Sequence, residues 1–125
     1  MDKSRNILYL LDSVRGRILQ LELESGLRSE ILSANSGSAW QDVQYDPESD
    51  RLLILDRSGP RIYSYDLTGQ ALSTLSGDGV GRGDLPANAV AFHAMPHSLV
   101  AVVDAGLDAL FVVDLESGDR VIVSR

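Results

Sequence analysis

Apolar positions in this chain gather into short runs at 7–11, 52–55 and 99–103, each four or five residues long and bounded by charged or other turn-forming polar residues. Runs of that length, flanked by turn residues, predict strands rather than helices. No apolar stripe persists at helical spacing over three turns, so almost no helix is expected. Within each run the apolar residues are successive, not alternating. Neighbouring strand residues point to opposite faces, so both faces of these strands should be buried.

A second apolar run follows each of the first, at 18–23, 62–67 and 110–115. Five turn-like residues separate the paired runs, a common hairpin connection. Gly16, Gly59, Pro60 and Gly106 supply the turn geometry there. An aspartate closes the first run every time: Asp12, Asp56 and Asp104, spaced 44 and 48 residues apart. Glu22, Asp66 and Asp114 close the second run and are expected to pair with arginines or solvent. A strand-rich period of this size predicts the blades of a β-propeller, in which each sheet is sandwiched between two others.

Two alternating segments, 40–46 and 88–93, precede the second and third hairpins and predict innermost strands facing a central channel. The more polar segments 27–32, 71–75 and 120–123 predict outer strands, since edge strands carry polar residues. The expected architecture is all-β: three consecutive antiparallel blades in one partial-propeller domain spanning 1–125. Blade one covers 5–33 and lacks its inner strand, blade two covers 39–76, and blade three covers 86–125. Propellers commonly close with four to eight blades. Three cannot close a ring, and uncovered end blades would expose large apolar patches. The expectation is therefore half of a six-bladed ring, completed by a second copy of the chain or by further blades of a longer one.

Composition narrows the partners. The net charge of −7 disfavours nucleic-acid backbones and anionic membranes. No cysteine is present, which excludes disulfides and thiolate metal sites. No run is long enough to span a membrane, and the N-terminal run has no small-residue cleavage site. The expected partner is a protein or a small molecule at the propeller face. The compartment stays open.

The segment 76–93 carries a resemblance to a known family. Its glycine-rich lead-in, the Gly83-Asp84-Leu85 step and the Val90-Ala91-Phe92 strand resemble the connection in NHL repeats. The stretch 56–66, an aspartate, a turn, Arg61-Ile62, an aromatic and an aspartate, looks similar too. Several six-bladed groups share these features, including the SMP-30/gluconolactonase and strictosidine-synthase-like proteins. In the SMP-30-like group, an "Asn-Gly-Leu-Ala-Trp" inner strand places asparagine on a central divalent metal. Asn88-Ala89-Val90-Ala91-Phe92 is similar to it. That resemblance implies Asn88 as one ligand for calcium. Gln41 is taken as its counterpart in blade two, with Asp42 beside it as a second ligand. Calcium needs six to eight oxygens, so these residues alone would not complete a site.

Each remaining motif has a plainer reading. A once-per-blade aspartate could form a cation-binding ring, but short acidic side chains also accept backbone N–H groups of their own turns, and repetition favours that structural role. The four glycines of 76–84 do not satisfy G-x-G-x-x-G and precede no helix. They predict a mobile or tightly turned connection. The Arg82-Gly83-Asp84 tripeptide is read as part of that turn. His93 and His97 flank Pro96 in a connection and fall short of the three or four ligands zinc requires. No G-x-S-x-G elbow appears. Trp40, Tyr9, Tyr45, Tyr63, Tyr65, Phe92 and Phe111 are read as packing between blades, with Tyr45 and Phe92 at matching positions. Two functions stay in view: a non-catalytic binding module, and a metal-dependent SMP-30-like hydrolase or lactonase using Asn88.

Overall fold

The computed structural model describes residues 1–34, 39–58, 61–77 and 79–125. Eleven strands form among them, and no helix. In chain order they are β1 Ile7–Asp12, β2 Arg17–Glu22, β3 Arg28–Ser33, β4 Trp40–Asp46, β5 Arg51–Asp56, β6 Arg61–Asp66, β7 Ala71–Ser76, β8 Ala89–Met95, β9 Leu99–Asp104, β10 Ala109–Asp114 and β11 Arg120–Ser124. They make three antiparallel meanders: β1-β2-β3, β4-β5-β6-β7 and β8-β9-β10-β11. Gly59 and Pro60 lie outside the described residues.

The blades repeat in detail. A register shift sits at the same place in all three, after Ile18, Ile62 and Leu110. Such bulges sharpen the local twist. Asn6, Asp50 and Ser98 each precede the second strand position with φ of 57°, 47° and 58°. Their carbonyls accept from the backbone N–H of Leu23, Leu67 and Leu115. Asn, Asp and Ser tolerate this left-handed turn better than branched residues. The inner strand of blade one is not wholly missing: Asp2 pairs with Ile7 as Asp46 pairs with Arg51 and Met95 with Leu99.

Two apolar layers hold the blades together. Between blades one and two, Ile18, Leu52, Ile54 and Tyr65 pack with Tyr9 and Leu11. Between blades two and three, Leu53, Leu55 and Ile62 meet Val100, Val102, Phe111 and Val113. Leu52 to Leu55 are therefore buried on both faces, none more than 2% exposed. The end blades behave differently: Leu10 is 37% exposed and Val103 48%. The two-sided burial expected of all three runs holds fully only in the middle blade, because only that blade has neighbours on both sides.

Candidate functional site

The three repeated aspartates lie at one end of the strands, and all of them bind backbone. Asp56 accepts from the Ser58 N–H at 2.9 Å and from the Ala39 N–H at 3.1 Å. Asp104 accepts from Gly106 at 2.7 Å, Leu107 at 3.0 Å, Asn88 at 3.1 Å and also Ala87. Each thus clips its own hairpin turn to the start of its blade's inner strand. Burial alone would push the Asp104 carboxyl up, but these N–H bonds outweigh it and hold it below the usual range. Asp12 has no such inner strand to clip. It takes the Arg15 N–H at 3.1 Å and the Arg17 guanidinium at 3.2 Å. These bonds lower its pKa against the opposing effect of burial. Glu22, Asp66 and Asp114 bind their own turns as well, through the Ser25 hydroxyl and the N–H groups of Thr68 and Glu116.

Asp42 projects from β4 to β8. One carboxylate oxygen accepts from its neighbour Val43 at 2.9 Å, the other from the Phe92 N–H at 3.3 Å. Gln44, two residues on, receives the Ala94 N–H on its Oε1 at 2.8 Å and donates Nε2 to the Phe92 carbonyl. Side chains of blade two thereby cap the free edge of β8, whose peptide groups have no strand on that side. Asn88 stands just before β8. Its backbone bonds Asp104 and Ala105, and its side-chain amide makes no hydrogen bond among the described residues.

Strand pairing corrects two assignments of repeat position. Val43 and Phe92 occupy matching rungs, opposite Ile54 and Val102, so Tyr45 corresponds to Ala94. Trp40 and Ala89 both pair with the aspartate, so the counterpart of Asn88 is Ala39 and not Gln41. The turn after β4 has four residues and the turn after β8 three, which accounts for one of the two positions by which each assignment slips. His93 belongs to β8, and both histidines are exposed. Asp42's oxygens already accept N–H groups, so Asp42 and Asn88 do not fit a calcium cage by themselves. Among the described residues no group of three or more His, Asp or Glu side chains is arranged to hold a metal.

The glycine-rich connection is a tight turn built around a buried arginine. Arg120, 8% exposed, directs Nη1 to the Ser76 hydroxyl at 2.8 Å and the Val80 carbonyl at 2.9 Å, Nη2 to Gly83 O at 3.0 Å and Nε to Asp84 O at 3.1 Å. Among the described residues, carbonyl dipoles and the Ser76 hydroxyl solvate this cation, and no carboxylate does. A Cβ on Gly81 would lie 2.0 Å from the Gly118 oxygen, and one on Gly83 2.1 Å from the Arg120 oxygen. Glycine is required at both because backbones touch there. Asp78 lies outside the described residues.

At the other end of the strands, Arg5 joins blade one to blade two. Its guanidinium bonds both Asp2 and Asp50, and lies 3.3 Å from the Tyr45 hydroxyl. That hydroxyl donates to Asp50 at 3.0 Å. The Tyr45 ring stacks on Tyr9, centroids 5.6 Å apart. Burial opposes ionisation of Asp2, yet the bonds from Ser4 and Arg5 prevail and bring its pKa down to about 2. Sequence reasoning missed Arg5, Gln44 and Arg120. Only Arg120 carried a signal, a charged residue opening an apolar run before Val121 and Ile122; Arg5 lies in a turn and Gln44 in a largely polar strand.

No protein-family model matches the sequence, and no curated protein matches it. Solved structures do. A chain in the crystal structure of a nidogen/laminin complex superposes with a TM-score of 0.74 at 18% identity, over 96% of this chain and 43% of that one. A protein from Bacteroides fragilis described as a 6-phosphogluconolactonase gives 0.63 at 16% identity, over 98% and 36%. The chain spans less than half the length of either neighbour. At these identities the likeness speaks for the fold alone: the chain consists of three consecutive β-propeller blades, the first with three strands.

Proposed function

We propose that the chain is a non-catalytic binding module that presents the loops at the Asp12, Asp56 and Asp104 end of its blades to a protein partner. One observation carries this reading. Val14, Leu85 and Leu107 are exposed at that end, Val14 by 94%, on turns whose backbones the aspartates and Arg120 hold rigid. Apolar side chains on rigid loops suit protein recognition. The nidogen/laminin neighbour, solved as a complex, supports the same reading.

The module belongs to a six-bladed ring of the NHL-like type, the other blades coming from a second copy or a longer chain. The end faces support this. Ala101 and Val103 of blade three hold the repeat positions of Leu53 and Leu55, which cover the next blade. Leu8 and Leu10 of blade one hold the positions of Val100 and Val102, which are covered. Each free face thus has the pattern of one side of an internal junction. Sedimentation velocity should find a dimer; a stable monomer would reject the two-copy form.

A second reading has an observation of its own. Among the described residues the Asn88 side chain makes no hydrogen bond, as a ligand to a metal shared with other blades would not, and one structural neighbour is described as a lactonase. Here Asn88 is one ligand of an SMP-30-like metal-dependent hydrolase. Calcium calorimetry on the assembled protein separates the two. Saturable heat lost in Asn88→Ala, together with lactone turnover, would overturn the binding-module reading; no heat and no turnover uphold it.

A further inference from the structure

The blade junctions differ at the end opposite the aspartates. Between blades one and two, the space is filled by Arg5, Tyr45 and Tyr9, closed by Asp2 and Asp50. The shared turn places Ser49 where Arg5 stands, Ser98 where Asp50 stands and Leu53 where Tyr9 stands. Pairing places Ala94 at Tyr45 and Asp46 at Asp2. At the second junction the arginine, both aromatic rings and the Asp50 carboxylate are therefore missing, while the Asp2 carboxylate is kept as Asp46. The result is a cleft of about 230 Å³, lined by Asp46, Glu48, Leu53, Ala94, Ser98 and Leu115.

We propose that this cleft binds an aliphatic guanidinium, which takes the place that Arg5 fills at the first junction. The chemistry is complementary. Leu53, Ala94 and Leu115 offer an apolar wall for methylenes. Ser98 lines the cleft at the repeat position of Asp50, the acceptor for Arg5, and offers a hydroxyl in place of its carboxylate. Asp46 already pairs with Arg51 at 2.9 Å, so the exposed Glu48 carboxylate supplies the unbalanced negative charge at the mouth. Planar guanidinium groups suit carboxylate and hydroxyl acceptors together. The volume falls below the roughly 300 Å³ where drug-sized pockets begin, which fits one extended side chain or a molecule of that size. This site is remote from Asn88 and goes beyond the loop-binding reading.

Propylguanidinium and the peptide acetyl-Gly-Arg-Gly-amide, titrated separately while amide NMR shifts of Glu48, Ser98 and Leu115 are followed, test the site. Saturable shifts are expected for at least one. Tighter binding of the peptide assigns the group to a protein partner, and tighter binding of propylguanidinium to a free small molecule. Ser49→Arg, in an exposed turn, should fill the cleft from within and abolish the shifts; Ala94→Tyr should do so independently. Glu48→Gln should weaken binding about threefold, the range of an exposed ion pair. Non-saturating shifts with both probes, or unchanged binding in both filled variants, would overturn the proposal.

Discussion

The carboxamide of Gln44 meets the backbone of Phe92 and Ala94 as a neighbouring strand would, giving one hydrogen bond and receiving another. The free edge of β8 is thereby satisfied by a side chain from the adjacent blade, 48 residues away from Phe92. Gln44→Ala should leave an N–H and a carbonyl exposed to whatever solvent reaches the junction. A loss of about 2 kcal/mol is expected in urea unfolding. Gln44→Glu should recover only part, because it keeps the acceptor and loses the donor.

The repeated aspartates should not be equal. Asp104, 1% exposed, accepts four backbone N–H groups. Asp104→Ala is expected to cost about 3 kcal/mol, since several buried donors lose their acceptor together. Asp12→Ala should cost clearly less, because Asp12 holds one N–H and one arginine at a half-exposed turn. Equal midpoints for the two variants in chemical denaturation would contradict the clip between turn and inner strand.

Arg120 and the glycines make one unit. Arg120→Met should destabilise the fold by about 3 kcal/mol by leaving several carbonyls without a donor. Hydrogen exchange at Gly77 and Val80, whose N–H groups bond each other's carbonyls, should accelerate most. Gly81→Ala should be severe, through collision with the Gly118 oxygen, whereas Gly79→Ala meets nothing within 4 Å and suffers only the strain of its φ of 83°.

Acid should unfold the chain from a well-defined side. Asp2, at about 2, and Asp12 and Asp104, both lowered, bind protons less readily when folded than when unfolded. Their stabilisation is fully present above the unfolded carboxylate pKa near 4 and is lost as pH falls through the folded values. The thermal midpoint should thus hold from neutral pH down to about 5 and drop toward pH 2. In Asp2→Asn that drop should be shallower, with lower stability at neutral pH, as the Arg5 contact weakens.

Much of the architecture was legible in the sequence because it rests on local rules. Runs such as Leu52 to Leu55, bounded by Arg51 and Asp56, announce buried strands, and the recurring aspartate announces the hairpin turn. The inner strand at 40–46 agrees with Trp40–Asp46. The counterparts of Asn88 and Tyr45 were misplaced by two positions: one comes from the longer turn after β4, and a two-residue slip leaves the hydrophobic alternation in phase, so the pattern could not expose it. The cross-blade contacts were illegible for a different reason. Whether Gln44 reaches Phe92, or Arg5 reaches Asp50, depends on how two sheets are offset, and periodicity within one strand carries no information about that.

The end faces have a consequence for growth. A body whose last side fits its first adds copies head to tail, and such contacts either return to their start or continue without limit. In the ring proposed above, the tilt between successive blades, with the stacked Tyr9 and Tyr45 and the Gln44 bridge at their junctions, would decide between a closed circle and a fibre. Substitutions that flatten those junctions would open the circle before they unfold the protein.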